Sequence, residues 1–225
     1  YHISHDLVSR ISVATMTEAV SDFISQGVGF SAVRAHEWQD AIYPWDLLAM
    51  NERLLRLIPP SRQGTISGSA IIEGPVSIGK GTKIGPYTTI QGPVVIGEDC
   101  VIGSHVVLLP GTSIGSRVTI EPFTVIGYSL IMDDCVIASH SSMSAAVIGE
   151  GCTLGEYTAI VCGSGFVEMG MQAVRSSCGV VMGNGVFSSP RVMYENTIIG
   201  NACHIEPSTS ITIRSRVIPD RTRVI

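Results

Sequence analysis

Few side chains in this sequence are able to do chemistry, and they are scattered. Six cysteines stand at positions 100, 135, 152, 162, 178 and 203. None belongs to a C-x-x-C pair, which argues against a zinc knuckle or a dithiol redox site. Their placement predicts small core residues in a reducing compartment, in preference to disulfides or metal ligands. His2 and His5 lie close to the chain end, while His105, His140 and His204 stand in the body of the chain. An imidazole titrates near neutral pH and suits proton transfer or metal ligation. Gly163-Ser164-Gly165 reads as a small-residue loop, because no strand-to-helix context follows that would make it a phosphate cradle.

Whatever chemistry these residues perform must be positioned by a folded core. Of the 225 residues, 45% are hydrophobic and only 15% are charged, a balance that excludes disorder. The net charge of −5 argues against a nucleic-acid partner, which favours a basic face. No apolar run approaches the roughly 20 residues of a membrane helix, and no secretory signal is visible. A cytoplasmic protein is expected. The chain opens on Tyr1 rather than Met, so its natural N-terminus is expected upstream.

Beyond Pro59-Pro60 the sequence repeats every six residues. Ile66, Ile72, Ile78, Ile84, Ile90, Ile96, Ile102, Leu108, Ile114, Ile120 and Ile126 form an unbroken aliphatic series. A small or β-branched residue follows four positions later, at Ala70, Val76, Thr82, Thr88, Val94, Cys100, Val106, Thr112, Val118 and Thr124. A period of six fits neither 3.6 nor a heptad, so no helix keeps these residues on one face. It does fit extended structure. Each hexapeptide makes one flat side, its aliphatic residue points inward, and the small residue fits near a corner. Three sides make a coil of 18 residues, and coils stack about 4.8 Å apart through parallel hydrogen bonds. The fold is therefore expected to be mainly β, a parallel β-helix over residues 58–225 with about nine coils.

The phase slips after Ile126, continuing at Ile131, Ile137, Met143, Ile148, Leu154 and Ile160, with Cys135 and Cys152 in the slot of Cys100. The stretch from Cys162 to Pro190 loses the pattern and is expected to form irregular coils or a protruding loop. The period returns at Ile199, Ile205, Ile211 and Val217, with Cys203 again in the small slot.

Residues 1–57 read differently. Thr15-Met16-Thr17-Glu18 is a capping box that predicts a helix through about Gln26, stopped by Gly27. A strand is expected over 28–36. Pro44 is expected to start a second helix with Leu47, Leu48, Leu54, Leu55 and Ile58 on its apolar face. So short a segment reads as the closing piece of a larger α/β domain.

Glu37-Trp38-Gln39-Asp40-Ala41-Ile42-Tyr43-Pro44-Trp45-Asp46-Leu47-Leu48-Ala49-Met50-Asn51 resembles the end of the catalytic domain in sugar-1-phosphate nucleotidylyltransferases, whose members read W-x-D-x-G-x-P-x-D-L-L-x-A-N before a hexapeptide β-helix. Ala14-Thr15-Met16-Thr17-Glu18-Ala19-Val20 is similar to their L-T-D-A-I helix start. The nearest subgroups are archaeal-type two-domain enzymes and the bifunctional uridylyltransferase/acetyltransferase that forms UDP-N-acetylglucosamine. The resemblance implies a left-handed β-helix, with residues 1–57 closing the nucleotidyltransferase domain. It also implies that Asp40 helps bind the magnesium ion that bridges sugar phosphate and nucleotide. The family's Gly-rich nucleotide loop is absent, so nucleotidyl transfer is expected only from a longer protein, or else to have been lost.

Family β-helices often transfer an acetyl group from acetyl-CoA to a sugar amine, at a site between subunits of a homotrimer. The base lies in a stretch like S-V-I-M-D-x-x-x-V-P-H-L-S-Y, which resembles the run from Ser129-Leu130-Ile131-Met132-Asp133 to Ser139-His140-Ser141. His140 is the implied catalytic base. Without gaps the family histidine falls on Ser139, one residue away, which reverses direction in a strand. A corner or interface histidine therefore stays open beside the catalytic reading. The family's substrate-contacting Tyr falls on Ser142 or Met143, its asparagines on Thr153 and Cys162, and its basic residues near Leu108-Leu109 and Ile126-Gly127. A changed acceptor or a lost reaction is expected, and a purely trimerising, regulatory β-helix is the alternative. Zinc hydration on this fold uses two histidines five residues apart, and no such pair exists.

Overall fold

The computed structural model describes residues 7, 9–11, 15–31, 34, 38–169, 172–206, 212–214 and 217–224. They fall into two compact units, 1–39 and 40–225.

In the second unit the six-residue series points into one interior. Every member from Ile78 to Ile126 is buried, and Ile66 and Ile72 of the first coil are partly buried. The strands are two or three residues long and make a left-handed parallel β-helix, with two faces of nine strands and one of eight. The first face contains Val76–Ile78 and Val94–Ile96, the second Lys83–Ile84 and Val101–Ile102, the third Thr89–Gln91 and Val107–Leu108. Ile78 pairs with Ile96 and Ile96 with Ile114, which makes each coil 18 residues long. From Ile114 to Ile131 and on to Ile148 the repeat is 17. The slip in the sequence is thus one residue lost at the corner between the third and first faces, where Tyr128 alone replaces Pro110-Gly111.

The small slot explains the cysteines. Thr82 Oγ1 donates to the Gly97 carbonyl at 2.7 Å, and the thiols of Cys100, Cys135, Cys152 and Cys203 make the same kind of contact with the coil above, at 3.0–3.1 Å. A methyl-sized group with a weak donor fills the corner and serves a buried carbonyl. Cys178 is buried outside this column, and burial pushes its thiol up to about 11. Cys162 departs from the expected core role: it is exposed where the chain leaves the coil. The backbones pack so closely at the first corner that a Cβ added to Gly97 would lie 2.5 Å from the Gly115 carbonyl oxygen.

Residues 163–178 are neither irregular coil nor loop. Gly163–Met169 pairs antiparallel with Gln172–Cys178 as a hairpin. The coil then resumes regularly, because Val180–Met182 pairs with Ala146–Ile148 and Phe187–Ser188 with Thr153–Leu154. Two inward positions here broke the aliphatic pattern. Tyr194 stacks on Ile160 and Ser188 on Leu154, both buried, with Ser188 Oγ 2.7 Å from Tyr194 Oη. A large ring beside a small hydroxyl conserves volume, and each satisfies the other's polar atom. Ile199 and Ile205 rejoin the inward columns. Ile211 lies outside the described residues. Val217 faces outward at 43% exposure and Ile218 takes the inward place, because Ile199 pairs with Ile218 over a 19-residue coil.

In the first unit, helix α1 (Met16–Ser25) begins where the capping box predicts, with Thr15 Oγ1 accepting from the Glu18 N–H, and Gly27 follows at φ +81°. Residues 28–31 and 34 form no strand, and no strand in this unit pairs with them among the described residues. Ala32, Val33, Ala35 and His36 lie outside the described residues, as do His2 and His5. Helix α2 (Asp46–Leu55) belongs to the second unit and starts two residues after Pro44. The Asp46 carboxylate accepts from the Ile42 and Tyr43 N–H groups at 3.0 and 2.8 Å and fixes the turn. Leu48 packs with Val147 and Val181 on the outside of the first face. Leu55 is also buried, whereas Leu54 and Ile58 are exposed, so the apolar stripe is narrower than expected. Buried Asn51 clamps the helix down: its Nδ2 donates to the Gly111 carbonyl at 3.0 Å, and Ser113 Oγ donates to its Oδ1 at 2.6 Å.

At the first corner Arg117 bonds Asp134 at 2.7 Å and holds that carboxyl below the usual aspartate range. A depressed folded value adds stability above the unfolded value of about 3.9 and loses it as pH falls through the folded one. The stability gap between wild type and Arg117→Gln is therefore expected to shrink in urea melts between pH 6 and pH 2. Inward and outward positions also separate sharply. Ile120→Ala is expected to cost about 2–5 kcal/mol, and its outward neighbour Thr119→Ala about 0.5 kcal/mol or less, both read from urea midpoints.

Candidate functional site

His140 sits at the second corner, between the second and third faces, with φ +58°. Its backbone N–H donates to the Pro122 carbonyl one coil below, and the Ser139 N–H donates to Glu121 Oε2. Strand alternation does not govern this position, because the left-handed corner turns the chain and throws the imidazole outward.

The ring is not isolated. Tyr87, His105, Phe123, His140 and Tyr157 occupy the same corner of five successive coils, all at positive φ. Their rings stack in one column with centroids 5.0–5.1 Å apart and planes within 24° of parallel. The Arg191 guanidinium extends the column, 5.7 Å from the Tyr157 centroid. All five rings are exposed, but each inner one has both faces covered and offers only its edge to solvent. Bulky residues are disfavoured in the left-handed region. The coil spacing sets side chains at the distance aromatic rings prefer, and stacking offsets that strain.

This geometry bears directly on the proposed base. His140 lies between Phe123 and Tyr157, and among the described residues nothing hydrogen-bonds its imidazole. A working base is normally oriented by a further group on its other nitrogen. His105 is separated from His140 by Phe123, so the two do not converge. His204 stacks on Phe187 at 4.6 Å, on the second face, with its Nε2 3.7 Å from Glu206. Among the described residues, no group of three His, Cys, Asp or Glu side chains could hold a metal.

Asp40 is exposed and belongs to no group of three such side chains among those residues. One carboxylate does not make a magnesium site, so Asp40 alone does not hold that ion. Met143, Leu108 and Ile126 point into the core, whereas Ser142 and Cys162 face solvent. Thr153 is half-buried on the second face. The ring column went unread in the sequence, although its signal was there: the residue before the small slot is aromatic or His in every third hexapeptide from Tyr87 to Tyr157. Removing its central ring with Phe123→Ala is expected to cost about 1–3 kcal/mol, two ring pairs' worth. Phe123→Tyr should keep the wild-type urea midpoint.

Residues 90–222, more than half the chain, match the family described as the GMPPB C-terminal domain. The bifunctional protein GlmU of Methanococcus aeolicus is 34% identical over 141 residues, covering 62% of this chain and 34% of that protein. An acyl-[acyl-carrier-protein]–UDP-N-acetylglucosamine O-acyltransferase of Rickettsia canadensis is 33% identical over 99 residues, covering 44% of this chain and 36% of that one. The chain thus spans about a third of the length of these relatives. Among solved structures, UDP-N-acetylglucosamine acyltransferase from Campylobacter jejuni superposes with a TM-score of 0.41 at 13% identity, over 72% of this chain and 68% of that one. By its sequence match, set on the hexapeptide coils described above, the chain belongs to the GMPPB C-terminal domain family.

Proposed function

We propose that this chain is the C-terminal portion of a cytoplasmic nucleotide-sugar-forming enzyme. Its β-helix assembles and steadies that enzyme, as a homotrimer, rather than transferring acetyl groups. Residues 1–57 close the nucleotidyltransferase domain of the longer protein, and 58–225 form the scaffold. In the whole enzyme a sugar 1-phosphate attacks the α-phosphorus of a nucleoside triphosphate and pyrophosphate leaves. The groups for that step, magnesium ligands included, belong mostly to the upstream domain.

The observation that carries the scaffold reading is the fixed imidazole of His140. A general base must meet the attacking amine, take its proton and be held in the right tautomer. Here the ring is spent on stacking at an exposed ridge, with no orienting partner among the described residues. Residues at the other family positions, such as Ser142 and Thr153, lack the expected chemistry. The free thiols buried in the corner slots suit a reducing compartment. Acetyl transfer from acetyl-CoA by His140 is the second reading, favoured by the relatives whose names describe bifunctional and acyl-transferring proteins.

The two separate in one assay. Wild type and His140→Ala are incubated with acetyl-CoA and glucosamine 1-phosphate, and the acetylated sugar is followed by mass spectrometry. The expected result is product at the no-enzyme background in both. Product made by wild type and lost in His140→Ala would overturn the scaffold reading and establish the second.

A further inference from the structure

A groove of about 500 Å³ runs along the third corner beneath helix α2, remote in the fold from the ring column. Pro75, Pro93 and Pro110 stand one coil apart and form its floor, and the ring of Tyr128 continues that floor upward. The facing wall is the end of α2, contributing Leu55, Glu52 and Arg56. We infer that this groove is a binding site for the ring of an uncharged pyranose sugar, held between the Glu52–Arg56 pair and the proline–tyrosine floor.

Three observations carry the assignment. The first is the volume, which lies in the range of small-molecule sites. The second is the polar set. Arg56 and Glu52 pair at 2.8 Å across one helical turn, so the groove holds one acceptor and one planar donor with no surplus charge. The Tyr128 hydroxyl has no hydrogen-bond partner among the described residues, and burial and the nearby Glu52 carboxylate raise its pKa, which keeps it a donor. Sugar hydroxyls both donate and accept, so a carboxylate, a guanidinium and a phenol together match a run of them. The absence of excess positive charge disfavours triphosphates and coenzyme A, whose anionic groups would lack partners. The apolar floor suits the C–H face of a pyranose.

The third observation is preorganisation. Asn51, next to Glu52, is locked to Gly111 and Ser113, which fixes the wall against the floor. Tyr128 sits at φ +43° in the corner that the shortened coil leaves it to turn alone, which holds its backbone in one conformation. A Cβ on Gly111 would lie 2.9 Å from the Tyr128 ring, so the glycine lets the ring lie flat on the backbone. This inference goes beyond the scaffold reading and does not depend on it.

Saturation-transfer NMR with methyl α-D-mannopyranoside and methyl α-D-glucopyranoside tests it on the unmodified chain. At least one glycoside is expected to bind with a Kd in the range of about 1–20 mM. Tyr128→Phe and Glu52→Gln, which leave the packing intact, are each expected to weaken binding by about fivefold or more. Their urea midpoints should stay at the wild-type value. Mannose 1-phosphate is expected to bind no tighter than its methyl glycoside. The inference is overturned by absence of saturation transfer from both glycosides, by binding indifferent to both substitutions, or by binding of the phosphate alone.

Discussion

Parallel stacking in register is the constraint on which the structure rests. Each coil hydrogen-bonds only to the coils above and below, so a position must do on every coil the job it does on its neighbours. Ile102, Ile120, Ile137 and Leu154 fill one inward column in this way. A side chain that changes size in such a column must be compensated on the next face of the same coil. Tyr194 and Ser188 show this, since they arrive together and bond to each other.

The same constraint makes the three corners chemically distinct. At the first, side-chain oxygens of Asp133, Asn184, Asn201 and Asp220 each accept an N–H from the coil below, at 2.7–3.0 Å. Charge gathers there because the chain needs acceptors at that point. At the second corner the chain needs residues that tolerate positive φ, and stacked rings supply a compensating attraction. The third corner is closed by Pro75, Pro93 and Pro110, which cannot donate to the ladder and so suit a turn between strands. A ligand site and a ring ridge can therefore lie on one small prism without sharing a residue.

How much of this was legible depended on the range of the interaction. The coils, the inward residues and the cysteine slot follow from a strict period, and they lie where the residues from Ile78 to Ile126 placed them. The hairpin at 163–178 was not legible, because it is an insertion between coils and obeys a different pairing rule. Ile218 rather than Val217 faces inward because this coil has 19 residues where the period implies 18, and adjacent aliphatics gave no means of choosing. His140 was found by resemblance, but its ring partners, Phe123 and Tyr157, come from the coils below and above, each 17 residues away. Asp40 was named from a motif whose metal-binding company is not among the described residues. A motif gives a residue's ancestry, and only its neighbours give its present chemistry.

The phase slip connects these levels. Losing one residue after Ile126 shortens the third corner and leaves Tyr128 to turn it alone, at a strained φ, with its ring against Gly111. On the coil just before the slip, the freed Gly111 carbonyl and the Ser113 hydroxyl meet Asn51 of α2. Above the slip, Leu130 and Val147 provide the apolar surface on which Leu48 and the rest of α2 rest. The helix thus sits where the coil length changes. The shortened corner therefore borders both the surface on which α2 rests and the groove beneath that helix, with Tyr128 common to the two.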